Sequence, residues 1–86
     1  MPKYSITFAR VARKELESLS NPLILRIFTK IEALVDDPRP SGWKKLRGSE
    51  DLWRIRIGDY RVIYSINDSS KGVDIVAVRH RSQAYN

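Results

Sequence analysis

The chain contains no cysteine and a single histidine. Without thiols there is no disulfide framework and no thiolate metal site. One imidazole excludes a Cys/His catalytic pair and any His-rich metal centre, and no cofactor is expected. Acids are scarce beside bases: 10 against 16, for a net charge of +6. No paired carboxylates share an element, and Asp36-Asp37 reads better as a helix end than as a pair of metal ligands. A phosphate-cradling glycine loop and a nucleophile elbow are both missing. No apolar run approaches membrane-spanning length. The opening Met1-Pro2-Lys3-Tyr4-Ser5-Ile6-Thr7-Phe8 lacks the apolar core of a signal peptide. A cytoplasmic location without a membrane partner is therefore expected.

What remains is a small basic chain. Its 86 residues suit one domain, residues 1–86, that buries about 60–65% of its unfolded surface. The basic excess is +2 over residues 1–43 and +4 over residues 44–86. A basic domain of this size meets nucleic acid, an acidic protein or an anionic surface.

The second half is organised by residues 52–66. Trp53, Ile55 and Ile57 alternate with Arg54 and Arg56, the period of a half-buried strand. Val62, Tyr64 and Ile66 form one face of a following strand, and Arg61, Ile63 and Ser65 the other. Gly58-Asp59 between them suits a two-residue type II′ turn. That turn sets Ile57 against Tyr60, Arg56 against Arg61, Ile55 against Val62, Arg54 against Ile63 and Trp53 against Tyr64. The apolar residues then share one face, while Arg54, Arg56 and Arg61 share the other with no acid among them. Like charges directly opposed across a sheet are unfavourable. Such a face is either simply solvated or a phosphate site, where guanidinium forks excel; the opposed pair favours phosphate.

Around this hairpin the chain reads in order. A strand over Lys3–Phe8 buries Tyr4, Ile6 and Phe8. A helix follows on Phe8, Val11, Ala12, Leu16 and Leu19, with Arg10, Arg13, Lys14, Glu15 and Glu17 on or near its polar side. Ser20-Asn21-Pro22 stops it and starts another, with Ile24, Ile27, Phe28, Ile31, Leu34 and Val35 on one stripe. This second helix ends near Asp36-Asp37, ahead of Pro38 and Pro40. The short link between the helices predicts an antiparallel pair, and both stripes read as core. Pro38 to Asp51 reads as a loop carrying Lys44, Lys45 and Arg47. That run is either solvated or shares an anionic partner with Arg54 and Arg56. Trp43 could stack on a base, although covering a core edge is the preferred reading. Trp53 reads as core. A final strand spans Val73–Val78, whose buried face periodicity does not choose. If Val76 and Val78 face the core, Arg79 emerges beside Arg61. The fold class is α+β: an N-terminal strand and a helix hairpin packed on an antiparallel sheet, in the order β-α-α-β-β-β.

Arg, Lys, Tyr and one His can bind RNA. They could also cleave it without metal, because RNA brings its own nucleophile, the 2′-OH. Cleavage needs that hydroxyl oriented, the pentavalent phosphorane stabilised by cations and the leaving oxygen protonated. His80 suits proton transfer near neutrality; between Arg79 and Arg81 it equally suits binding or packing.

The order of elements resembles the RelE/ParE superfamily of bacterial toxin–antitoxin toxins. Lys45-Leu46-Arg47-Gly48, then Leu52-Trp53-Arg54-Ile55-Arg56-Ile57, then Gly58-Asp59-Tyr60-Arg61-Val62-Ile63-Tyr64 is similar to its central signature. Val78-Arg79-His80-Arg81 followed by Tyr85 is similar to the RelE ending. The resemblance implies a toxin that cuts mRNA in the ribosomal A site and is neutralised by a cognate, RelB-like or other small antitoxin. Its partners are then that antitoxin, the ribosome with its rRNA, and mRNA. By the same resemblance Arg54, Arg56, Arg61, Arg79 and Tyr85 are the catalytic set, with a phosphate clamp at Arg61. Lys44, Lys45, Arg47, His80 and Arg81 are the RNA- and ribosome-binding set. Where some relatives carry lysine, this chain has Arg54 and Arg56, which suit charge stabilisation and not general-base work. Two alternatives stand beside this reading: a ParE-like, non-catalytic inhibitor that binds DNA gyrase, and a plain basic binding module.

Overall fold

The computed structural model describes residues 3–46 and 51–83. Among them are five strands and two α-helices: β1 (Ser5–Phe8), α1 (Arg10–Glu17), α2 (Asn21–Ala33), β2 (Lys44–Lys45), β3 (Leu52–Ile57), β4 (Tyr60–Asn67) and β5 (Gly72–His80), then a 3-10 turn, Arg81–Gln83. The strands form one sheet in the order β1-β5-β4-β3-β2. The α+β class holds, and the sheet is mixed: β2 to β5 meander antiparallel, while β1 joins β5 in parallel. The meander leaves β5 with an open outer edge. β1 fills part of it, pairing Ser5 with Gly72 through Phe8 with Ile75.

The core lies between the helices and one sheet face. Ala12, Leu16, Ile27, Ile31 and Leu34 meet Ile55, Ile57, Val62, Tyr64, Val73, Ile75 and Val78 there. Tyr64 is fully buried and donates its hydroxyl to the Pro38 carbonyl at 2.8 Å. Burial pushes its phenol up to about 12. The helical stripes are only partly core, since Val11 is 53% exposed and Phe28 39%. Ser20 stands at the start of α2 but makes no side-chain cap bond.

The segment read as an unbroken loop contains β2, which pairs Lys44 with Arg54 and Lys45 with Trp53. The backbone groups on the outer edge of β3 supply the partners a two-residue strand needs. Trp43 holds this segment in place by meeting Trp53 edge-on, ring centroids 4.5 Å apart, at the border of the core.

A bulge in β5 explains why periodicity could not choose that strand's buried face. Ile63 pairs with Ala77 and Tyr64 with Ile75, so Val76 is the extra residue. Val73 and Ile75 face the helices before the bulge and Val78 does so after it. Val76 and Ala77 both turn to the other face, where Ala77 joins Leu46 and Ile63 in a second small cluster. A bulge sets two residues against one and shifts the alternation by one position.

Candidate nucleic-acid interface

The tight turn builds the site. Gly58 has φ +60°, whereas Asp59 is not left-handed. One positive φ at the first turn position is the type II′ signature. The resulting register is the one expected from the sequence, with Arg56 opposite Arg61 and Arg54 opposite Ile63. β5 extends the row by setting Arg79 against Arg61. Three arginines from three strands therefore stand side by side on the face away from the helices. Lys44, opposite Arg54, joins them from β2. Burial, then the fields of Arg56 and Arg61, lower the Arg54 guanidinium below its ordinary value. It remains charged, as guanidinium does in proteins.

Cluster and turn enclose a shallow cavity of about 200 Å³ lined by Arg56, Gly58, Asp59, Tyr60, Arg61 and Arg81. Arg81 lies 3.8 Å from the Asp59 carboxylate, and its backbone N–H donates to the Asp59 carbonyl at 2.7 Å. A larger cleft, about 590 Å³, lies away from the arginines among Thr7, Asp51, Ser65, Asn67, Ser70 and Asp74. Among the described residues its lining has carboxylates and hydroxyls and no cation, a poor phosphate site. Among the described residues no cluster of three His, Cys, Asp or Glu side chains could hold a metal ion.

Other sequence candidates are dispersed. Lys45 opposes Trp53, and its ammonium lies 6.0 Å from the Trp53 ring, on the helix side of the sheet. His80 opposes Tyr60, also across the sheet from Arg79. It meets the Tyr60 ring edge-on at 5.2 Å, and its Nδ1 accepts the Ser82 N–H at 3.2 Å. That geometry places the ring on the sheet face opposite the arginine row. Arg47 and Tyr85 lie outside the described residues.

Two residues near the site were not singled out from the sequence. Arg26 reaches from α2 to the turn, its guanidinium 3.6 Å from where a Cβ on Gly58 would sit. Glu15 of α1 accepts the Val78 N–H at 2.9 Å and the Arg79 Nε–H at 2.7 Å. Both are charged helix residues with no local pattern that announces a partner in a distant strand.

The family model described as the ParE toxin of the type II toxin–antitoxin system parDE matches residues 6–85. The chain belongs to the RelE/ParE family of type II toxin–antitoxin toxins. Within that family it resembles RelE proteins. Toxin RelE of Mycobacterium tuberculosis is 31% identical over 84 residues, covering 95% of this chain and 86% of the relative. The toxin of the RelE–RelB complex from Pyrococcus horikoshii OT3 superposes with a TM-score of 0.81 at 33% identity, covering 95% of this chain and 99% of that one. In the Escherichia coli RelBE toxin–antitoxin complex the match has a TM-score of 0.79 at 26% identity, over 96% and 99%. No helix among the described residues is long and apolar enough to cross a membrane.

Proposed function

We propose that this RelE-like toxin is a metal-independent endoribonuclease that cleaves mRNA in the ribosomal A site. The observation that carries the reading is the row Arg56–Arg61–Arg79, three cations directly abreast. Folding gains nothing from such opposition, whereas a phosphorane gains two or three positively charged forks. In the reaction the 2′-oxygen bonds to the adjacent phosphorus and the bond to the 5′-oxygen breaks. The products are a 2′,3′-cyclic phosphate and a 5′-hydroxyl. Arg61 and Arg79 stabilise the developing charge, Arg54 and Arg56 hold the flanking backbone, and Lys44 and Arg81 extend the contact with RNA. The family resemblance assigns Tyr85 to stacking or proton transfer.

Guanidinium groups neither take nor give a proton readily. The toxin therefore depends on the ribosome to align the RNA and complete proton transfer. Purified protein should cut a translated codon on programmed ribosomes, mapped by primer extension, and leave the same RNA intact when it is free. Equal rates on both substrates would overturn the reading. The RelE character of the relatives named above supports ribonuclease action over gyrase inhibition, even though the family model carries the ParE description.

A RelB-like antitoxin is the second proposed partner, supported by the solved complexes of relatives with RelB. A groove of about 540 Å³ between β1 and the helices, lined by Ile6, Phe8, Leu16, Ile24 and Phe28, can take apolar side chains of a segment that orders on binding. Exposed Val11 and Leu25 extend the apolar surface of the helices. Adding the product of the adjacent small gene should abolish cleavage, and Phe28→Asp should weaken that inhibition. Absence of a complex at micromolar concentration would count against it.

A further inference from the structure

We propose that Glu15 is the positioning residue for Arg79, fixing its guanidinium at the outer edge of β5 through one carboxylate that also holds the β5 backbone. This inference rests on the ribonuclease reading above. It begins with the end of β1. β1 pairs with β5 only as far as Ile75, and Ala9 N–H donates to the Ile75 carbonyl at 2.8 Å. Beyond that point no strand among the described residues lies beside the outer edge of β5. α1 follows the same edge, and Glu15 reaches in to accept the Val78 N–H with Oε1 and the Arg79 Nε–H with Oε2.

A hydroxyl or an amide could satisfy the Val78 N–H. Only a carboxylate accepts from both neighbours with a full charge, coupling the strand backbone to the next side chain. The ion pair is about three-quarters buried at both ends, with 25% and 26% of the side-chain surface exposed. Arg61 is the direct neighbour of Arg79 across the strands, and the ion pair at the outer edge fixes which way Arg79 turns from that like charge. The Nε edge binds Glu15, which fixes the plane of the guanidinium. A carboxylate near a phosphate site lowers the attraction for phosphate. Its value to such a site is therefore orientation, which raises the rate of the chemical step and not the affinity.

The test uses the full chain as wild type, Glu15→Gln and Glu15→Ala. Hydrogen exchange at the Arg79 Nε–H, assigned by NMR with Arg79→Lys, should be slow in wild type and fast in Glu15→Ala. In single-turnover cleavage of ribosome-bound mRNA, Glu15→Ala should lose about tenfold to a hundredfold in rate at saturation. Its half-saturating concentration should stay level or fall. Glu15→Gln, which can still accept one of the two bonds, should recover part of the rate and serves as the variant if Glu15→Ala folds poorly. Fast Nε–H exchange in wild type would overturn the proposal. So would a folded Glu15 variant pair with wild-type cleavage rates, or a loss of activity that merely follows the folded fraction. If wild type does not cut ribosome-bound mRNA, the ribonuclease reading fails, and the exchange comparison alone decides whether Glu15 positions Arg79.

Discussion

Two charged clusters of this toxin use arginine in opposite ways. At the Arg39 cluster each charge meets its complement: Arg39 grips Asp68 at 2.8 and 3.3 Å, and Tyr4 donates its hydroxyl to the same carboxylate at 2.7 Å. Hydrogen bonds from Arg39 and Tyr4 hold the Asp68 carboxyl down to about 2. The bond to Asp68 in turn raises the Tyr4 phenol. At the hairpin end Arg56, Arg61 and Arg79 stand abreast, Glu15 pairs with Arg79, and Asp59 lies against Arg81. The first cluster ties the N-terminal strand to the turn after β4 and is satisfied from within. In the second, like charges stand directly opposed across three strands.

Breaking the hairpin cluster should give the largest effect and should separate activity from folding. Arg61→Ala should cost two to three decades in the rate of mRNA cleavage, because a preorganised cation at a phosphorane is worth about 3–4 kcal/mol. Its melting temperature should stay level or rise as repulsion is relieved. A variant that melts normally and still arrests growth through mRNA cleavage at full strength would show that the active face lies elsewhere.

Gly58→Ala should damage both properties. At φ +60° a side chain costs about 1–2 kcal/mol, although the nearest group to the added Cβ would be the Arg26 guanidinium at an ordinary 3.6 Å. The measurement is denaturant unfolding alongside cleavage. Unchanged stability would mean the turn relaxes to another type without losing the arginine register.

Tyr64→Phe tests the core beneath both clusters. It removes the buried bond to the Pro38 carbonyl and should cost about 0.5–1.5 kcal/mol. Cleavage per folded molecule should not change. The wild-type phenol is raised in the folded state, so its stabilising contribution is whole below pH about 10 and is lost as pH climbs to about 12. Melting curves of the phenylalanine variant should lack that alkaline decline.

The smallest effect is expected at the satisfied cluster. Asp68 is exposed, and its ion pair is screened by water. Its folded pKa is depressed, so the stability it contributes is present above the unfolded value near 4 and fades as pH falls toward about 2. Asp68→Asn should flatten that part of the acid unfolding profile and leave cleavage at neutral pH untouched.

Local signals carried much of this architecture. A two-residue turn and a period of two specify the β3–β4 register without reference to the rest of the chain, so the opposition of Arg56 and Arg61 could be read directly. Proline positions and helical spacing likewise marked both helices. What depends on neighbours could not be read that way. The bulge at Val76 arises where β5 meets β4 and decides that Arg79 joins Arg61. Adjacent Lys44 and Lys45 fall on opposite faces only because that segment forms β2 against β3. Glu15 is an ordinary polar helix residue until α1 is laid along the edge that β1 leaves open. The composition and turn chemistry of the sequence alone placed a basic hairpin on an α+β scaffold. Tertiary packing decided which cations converge, because pairing across distant segments is set by backbone edges and buried volume that no local window contains.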